Sequence, residues 1–442
     1  MYDNLVGYSK KSMASFHTPG HKNRFLKSFN NLFELDLTEL DATDDLYNPK
    51  GPIVEAEQLA ASYFGAKKVL FSTSGNTLCI QAMLRLAVPS KSKIICARNL
   101  HKSALGAIIL LDLEPIWVFP EVQEEERGLP GRITSKSVEM HLKKNPNARA
   151  VYITSPDYYG CMCDVEKISS HCKKNNTPLL VDNAHGTHLA CLDPSLHPIA
   201  LGADISSDSA HKTLPVLTSG AFLNINNDNY LEDATGSMAL FGSTSPSFPI
   251  LASLDLCRDW MQKNGRAEFS RLERKVRYIE NLATQKGISL PPGRTDPTRI
   301  SLGVGSIGIS PGECAKIFRK FAVEPEFASD FYLILIPSPF NTDENFENLE
   351  RAILSLEKKE QKKEISLDIP KEFDARQILS PREAFFAENK KVSVECSVGK
   401  IASRGICPCP PGFLFVAPGE EITEESAFFM KKTGILDILV VK

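Results

Sequence analysis

Ser207-Asp208-Ser209-Ala210-His211-Lys212-Thr213, with Val181-Asp182-Asn183-Ala184-His185-Gly186 upstream of it, is the part of this chain that decides its fold. One lysine stands among small hydroxyl residues and a histidine, downstream of an aspartate that closes the apolar run Leu179-Leu180-Val181. A lysine can form a Schiff base, hydroxyls and amides can hold a phosphate, and a carboxylate can keep a pyridine nitrogen protonated. These are the requirements of pyridoxal phosphate (PLP) chemistry. The plainer alternative makes Lys212 a surface lysine in a polar loop.

Outward from these stretches, short apolar runs alternate with helix-period segments from about residue 50 to 225. Candidate strands are Val69-Leu70-Phe71, Ile94-Ile95-Cys96, Ile116-Trp117-Val118-Phe119, Ala150-Val151-Tyr152-Ile153, Leu179-Leu180-Val181 and Ala221-Phe222-Leu223. Helices are expected between them near 54–64, 76–87, 101–112, 135–144 and 164–175. Continuous apolar strands are buried on both faces, and helical crossovers impose a mainly parallel sheet. Ligands bind such sheets at the carboxyl ends of the strands. Ser72-Thr73-Ser74, His101 and Asp182 all fall there.

The character changes after Pro249. Residues 250–286 form a long helical stretch whose second half, Arg266 to Gln285, is charged and amphipathic. Residues 298–356 give strand, helix, strand and helix, and the run Glu357-Lys358-Lys359-Glu360-Gln361-Lys362-Lys363 reads as a solvated helix end and linker. The proline-rich tail closes on the strand-like Ile435 to Val441. The expected division is an N-terminal segment (1–50), a cofactor-binding major domain (51–250), a small α/β domain (251–360) and a C-terminal domain (366–442).

With 51 basic and 54 acidic residues, the chain has a formal net charge of −3 and carries no footprint for nucleic acid. Met1 to Lys11 lacks the apolar core of a signal peptide, and no apolar run is long enough to cross a bilayer, so a cytoplasmic protein without a membrane partner is expected. The cysteines lie in apolar contexts such as Ile95-Cys96 and Leu256-Cys257, as buried reduced thiols do. Cys161-Met162-Cys163 and Cys407-Pro408-Cys409 are spaced too closely for a zinc knuckle, and Pro19-Gly20 turns His17 away from His21. No metal is expected.

Ser72-Thr73-Ser74-Gly75-Asn76-Thr77, between a strand and a helix, offers a phosphate cradle of small residues and free helix-start amides, or else an ordinary helix cap. His101, after the next strand, can stack on a flat ring or face solvent. Asp182, desolvated at a strand end, needs a cationic partner, which a pyridinium supplies; a helix cap is the alternative. His185 is placed to pack near the ring or the substrate.

Several stretches together resemble the Orn/Lys/Arg decarboxylase family. They are Phe16-His17-Thr18-Pro19-Gly20-His21-Lys22, Asp44-Asp45-Leu46, Thr73-Ser74-Gly75, Asn99-Leu100-His101-Lys102-Ser103 and the Asp182 and Lys212 stretches. Ser243-Thr244-Ser245-Pro246-Ser247, Pro381-Arg382-Glu383-Ala384-Phe385-Phe386 and Pro410-Pro411-Gly412 belong with them. The resemblance runs in the family's order from about residue 16 to 425 and is to the shorter, Gram-positive-type members without a wing domain. It implies an α/β, aspartate-aminotransferase-like (fold type I) major domain with a mainly parallel sheet, plus a small α/β domain and a C-terminal domain. It implies PLP carried on Lys212, with His101 stacked on its ring, Asp182 at its nitrogen and His185 beside it. Thr73, Ser74, Gly75, Ser209 and His211 would hold the phosphate, and Asn76 is expected among the cofactor-binding residues. Tyr158 would face the site, and Ser243 and Thr244 would reach the partner subunit's phosphate, so a homodimer or higher homo-oligomer is expected.

Two positions depart from the family pattern: Asn183 stands where an acidic residue is usual, and Cys409 where a tyrosine commonly precedes Pro-Pro-Gly. The implied reaction is α-decarboxylation of arginine, lysine or ornithine to a diamine or agmatine, as in polyamine metabolism. A basic side chain requires a carboxylate at the far end of its pocket, and Glu326 or Asp330 in Pro325-Glu326-Phe327-Ala328-Ser329-Asp330 is the expected donor. A PLP aminotransferase or lyase, and a non-catalytic protein on the same fold, are the rivals. An arginine clamp from Arg294, Arg299 or Arg351 would favour the aminotransferase.

Overall fold

A computed structural model describes residues 13–17, 35–40, 43–121, 129–359, 375–407 and 413–442. Its centre is a seven-stranded sheet in the order β2-β8-β7-β6-β5-β3-β4. The strands are β2 (Lys68–Ser72), β3 (Lys93–Ala97), β4 (Glu114–Val118), β5 (Val151–Thr154), β6 (Leu179–Asp182), β7 (Ile205–Asp208) and β8 (Ala221–Ile225). Only β8 runs against the others, pairing antiparallel with both β2 and β7. The carboxyl ends of β2, β3, β5, β6 and β7 therefore open on one edge.

Helices α1 (Pro52–Phe64), α2 (Gly75–Ala87), α3 (Lys102–Leu111), α4 (Ser135–Lys144) and α5 (Val165–Lys174) accompany the strands. Side chains of a strand alternate between faces, and here they feed separate cores. Cys96, Tyr152 and Leu180 pack with α2 and α3, while Ile95, Ile153 and Val181 pack with α4 and α5. Covered on both faces, these strands read as unbroken apolar runs.

The run Ile205-Ser206-Ser207-Asp208 is absent from the strands expected above, yet it forms β7, and all four residues are fully buried. Its polar side chains bond inside the protein, Ser206 to Asp208 and Asn224 to both. A polar sequence thus becomes a central strand because its partners are polar too.

Beyond the sheet, α6 (Phe248–Trp260) passes through a π-helical turn at Met261–Gly265 into α7 (Arg266–Gln285). A three-stranded sheet follows, in the order β11-β12-β9, with β9 (Ile300–Leu302), β11 (Phe327–Ala328) and β12 (Leu333–Leu335). β1 (Ala14–Phe16) joins this part of the chain by pairing in parallel with β10 (Val323–Pro325). Near the C-terminus β13 (Asn389–Ser393) pairs antiparallel with β14 (Asp437–Val441). No helix among the described residues is long and apolar enough to cross a membrane.

The C-terminal segment is locked to the major sheet just before His101. Arg98, 1% exposed, grips Glu420 through two hydrogen bonds of 2.7 and 2.6 Å and also donates to the carbonyls of Leu414 and Phe415. Phe119 covers its guanidinium at 4.9 Å. Removing one partner of such a pair leaves a buried charge uncompensated. Glu420→Ala is expected to lower unfolding free energy by about 3–5 kcal/mol in denaturant titration. A loss below about 1 kcal/mol would show that the carbonyls alone satisfy Arg98.

Candidate active site

Lys212 lies in the short helix Ala210–Thr213 that follows β7 directly. Its Nζ stands 3.1 Å from His185 Nε2, on the loop after β6. Burial pulls the Lys212 pKa below the ordinary lysine range, against the opposing attraction of Asp182. Burial, then Lys212, holds the His185 imidazole well below its usual value. His101 faces open space, but the walls around it desolvate its cation, and with Lys212 and Lys102 nearby its pKa falls to about 4. Both imidazoles are therefore uncharged at neutral pH. His101 Nδ1 caps α3 by accepting the Ser103 amide, which fixes the ring at the end of β3.

Asp182 is 1% exposed at the end of β6. Oδ1 accepts from Asn76 Nδ2 and the Ala184 amide, both at 3.1 Å, and Oδ2 accepts from Tyr152 Oη at 3.2 Å. Burial raises its pKa, with Lys212 pulling the other way. It caps no helix, since the next one begins only at Leu189. Its hydrogen-bond donors are all neutral, so a cationic ring nitrogen would complete its environment.

The phosphate end fits as well. Ser74 heads α2 without making a side-chain cap, and Gly75 holds φ +76° with open space where a Cβ would stand. An uncapped helix start whose backbone can be approached closely suits an anion. Asn76 Oδ1, His185 Nδ1 and Thr213 Oγ1 are buried without a hydrogen-bond partner among the described residues. These polar atoms and the carboxylate suit a flat pyridinium with a phosphate tail. On this geometry PLP fits the residues present.

The structure thus brings Lys212, His101, Asp182 and His185 together, with Thr73, Ser74 and Gly75 at the tip of β2. Asn76 turns its Nδ2 to Asp182 and Ser207, while its Oδ1 stays without a hydrogen-bond partner among the described residues. Ser209 Oγ lies 3.4 Å from His211 Nδ1, which also meets the Gly220 carbonyl. The Tyr158 ring meets His185 edge-on at 5.0 Å, and its hydroxyl donates to Glu326 at 2.7 Å. Glu326 also acts on Lys212 electrostatically, whereas Asp330 is exposed and its charge acts on Tyr159. Ser243 and Thr244 are exposed, and among the described residues Ser243 bonds within its own turn, to Ser245. Cys409 and the Pro410-Pro411-Gly412 turn lie outside the described residues.

Of the three arginines, Arg294 is exposed and Arg351 pairs with Asn348. Arg299 is buried, with Nη2 3.4 Å from the His185 carbonyl and Nε 3.8 Å from Asp296. It backs the His185 loop, its Nε and Nη1 have no hydrogen-bond partner among the described residues, and its charge acts on Lys212 and His185. Tyr152 and Asp157 join the site unannounced by the sequence. Asp157 accepts the Tyr159 and Cys161 amides and so shapes the turn that carries Tyr158, and burial raises its pKa to about 7.

Residues 1–286 match the family model described as Orn/Lys/Arg decarboxylase, major domain. An arginine decarboxylase of Bacillus anthracis is 30% identical, the alignment covering 98% of this chain and 92% of that protein. An arginine decarboxylase of Halalkalibacterium halodurans is 29% identical over 98% and 93%. Among solved structures, the Francisella novicida lysine decarboxylase superposes with a TM-score of 0.79 at 18% identity, covering 99% of this chain and 80% of that one.

Proposed function

The chain belongs to the Orn/Lys/Arg decarboxylase family, a family of PLP-dependent enzymes with fold type I, and we propose that its own reaction is the α-decarboxylation of arginine to agmatine. The observation that carries the chemistry is the half-buried Lys212 amine, 3.1 Å from a neutral His185 and electrostatically coupled to the buried Asp182. Arginine is favoured as substrate because relatives of that name match nearly end to end. Agmatine would feed polyamine metabolism.

Lys212 is the residue that would carry PLP, Asp182 would hold its ring nitrogen, and His101 and His185 would flank the ring. Thr73, Ser74, Gly75, Ser209 and His211 would hold the phosphate. When bound, PLP supplies an electron sink for the pair left by the departing carboxyl group. Asp182, 1% exposed, would stabilise the positive end of that sink from a buried position. Lys212, with its lowered pKa, is poised to hand a proton from Nζ to the substrate Cα, and His185 Nε2 is within reach to exchange protons with Nζ. Carbon dioxide leaves and a proton replaces it. Glu326, held by Tyr158, is the acid we assign to the substrate's guanidinium.

The expected assembly is a homodimer, in which the exposed Ser243 and Thr244, next to the 63% exposed Leu240, meet a second copy. Glu326→Gln should raise KM for arginine roughly tenfold to a hundredfold, the worth of one charge-assisted bond, with PLP affinity unchanged. An unaltered KM would remove Glu326 from the pocket. The substrate itself is tested by incubating PLP-loaded protein with arginine, lysine and ornithine and measuring carbon dioxide and amine together. Agmatine in step with carbon dioxide supports the proposal; cadaverine or putrescine instead would reassign the substrate, and a keto acid without carbon dioxide would mark an aminotransferase.

A further inference from the structure

Beside Asp182 and Lys212, a buried polar cluster takes no part in the chemistry just described. At its centre is Asp208, the last residue of β7, fully buried. Its Oδ1 accepts from Asn183 Nδ2 and, at 3.0 Å, from His197 Nε2. Its Oδ2 accepts from Ser206 Oγ at 2.7 Å and Asn224 Nδ2 at 2.6 Å. His197 Nδ1 accepts the Ile199 amide at 3.4 Å, which leaves Nε2 as the donor toward Asp208.

The two ends of the Asn183–Asp208 bond are placed tellingly. Asn183 follows Asp182 directly; Asp208 precedes Ser209 and the short helix that carries Lys212. The Asn183 amide donates to the Ser207 carbonyl at 2.9 Å, extending the register in which Asp182 faces Ser207. The side-chain bond therefore ties the tip of β6 to the tip of β7 at the point where the chain's two central groups diverge.

We propose that Asn183 and Asp208 act as one positioning unit, an amide–carboxylate pair that sets Asp182 relative to Lys212 and in which amide and carboxylate can exchange places. An aspartate at 183 would bring a second carboxylate within hydrogen-bond reach of the first, and two like charges so close in a buried site repel strongly. The pair thus accounts for an amide where the family pattern has an acid. In the exchanged arrangement, an amide at 208 would donate to the carboxylate at 183 and to His197 Nε2, while its oxygen would accept from Ser206 and Asn224. Only the His197 tautomer changes, at the loss of the long bond from Ile199.

The inference rests on the reading that this site takes PLP. It is tested by titrating PLP into the cofactor-free chain and reading the dissociation constant from the visible band, then following that band against pH. Asn183→Asp is expected to raise the dissociation constant at least about tenfold and to move the band's pH midpoint by about one unit. The double variant Asn183→Asp/Asp208→Asn is expected to return both within about threefold, or half a unit, of the parent. Should Asn183→Asp fail to fold, Asn183→Ala removes the amide without adding charge and must still shift both quantities. Effects that add in the double variant, or a fall in thermal stability with affinity and midpoint unmoved, would overturn the pair as a positioning unit. A parent chain with no visible band would overturn the cofactor reading and this inference with it, so the two failures are told apart.

Discussion

Lys212→Ala should abolish turnover while leaving the fold intact. The short helix that carries it is held by Ala210, fully buried in the core, and by backbone bonds from Lys212 to Ser209 and from Leu214 to Ala210. The Lys212 side chain contributes the 3.1 Å contact with His185 and little else to packing. On the proposed roles, losing it would remove both the attachment of the cofactor and the proton donor to Cα, so the rate of carbon dioxide release should fall by roughly four orders of magnitude or more. Circular dichroism and thermal melting should match the parent, since removing a desolvated amine relieves a burial cost. Retention of even a tenth of the parental rate would show that another amine does the work.

Asp182→Asn has the next largest expected effect. The amide can keep an acceptor toward Asn76 or Tyr152, so the strand tip should survive the change. What would go, on the proposed role, is the charge that stabilises a protonated ring nitrogen, and with it the strength of the electron sink. PLP should still bind, and kcat should drop by about a hundredfold or more, the usual penalty for removing one preorganised electrostatic partner from a reaction centre. A kcat within a few fold of the parent would reduce Asp182 to a structural acceptor for Asn76, Ala184 and Tyr152.

Much of this layout is legible in the linear sequence, for a physical reason. Strands covered on both faces must be apolar throughout, so Ile94-Ile95-Cys96 and Leu179-Leu180-Val181 announce themselves. The charged half of the long helical stretch is legible for the same kind of reason: Arg266–Gln285 keeps its apolar residues Phe269, Leu272, Val276 and Ile279 on one buried face. The chemical residues follow because they sit at strand tips, next to small-residue turns.

What stays hidden depends on contacts across the sheet. β7 carries three polar residues out of four, and nothing local shows that Asn224 and His197 wait to satisfy them. Tyr152 looks like any aromatic in a buried strand until the register of β5 on β6 brings its hydroxyl to Asp182. Arg299 is legible only as one of three candidate arginines, because its place behind the His185 loop, far off in sequence, is set by the fold. The contrast between Glu326 and Asp330 is of the same kind: two acids four residues apart in one short segment differ in that Glu326 meets Tyr158 and acts on Lys212.

The central claim, that Lys212 is the lysine on which this chain carries PLP, has a direct chemical test. PLP-loaded protein is reduced with sodium borohydride, digested and mapped by mass spectrometry. The account predicts a single phosphopyridoxyl-bearing peptide, the one containing Lys212, with labelling lost in Lys212→Ala. A label on any other lysine, or no covalent label in a protein that has taken up PLP, would contradict it.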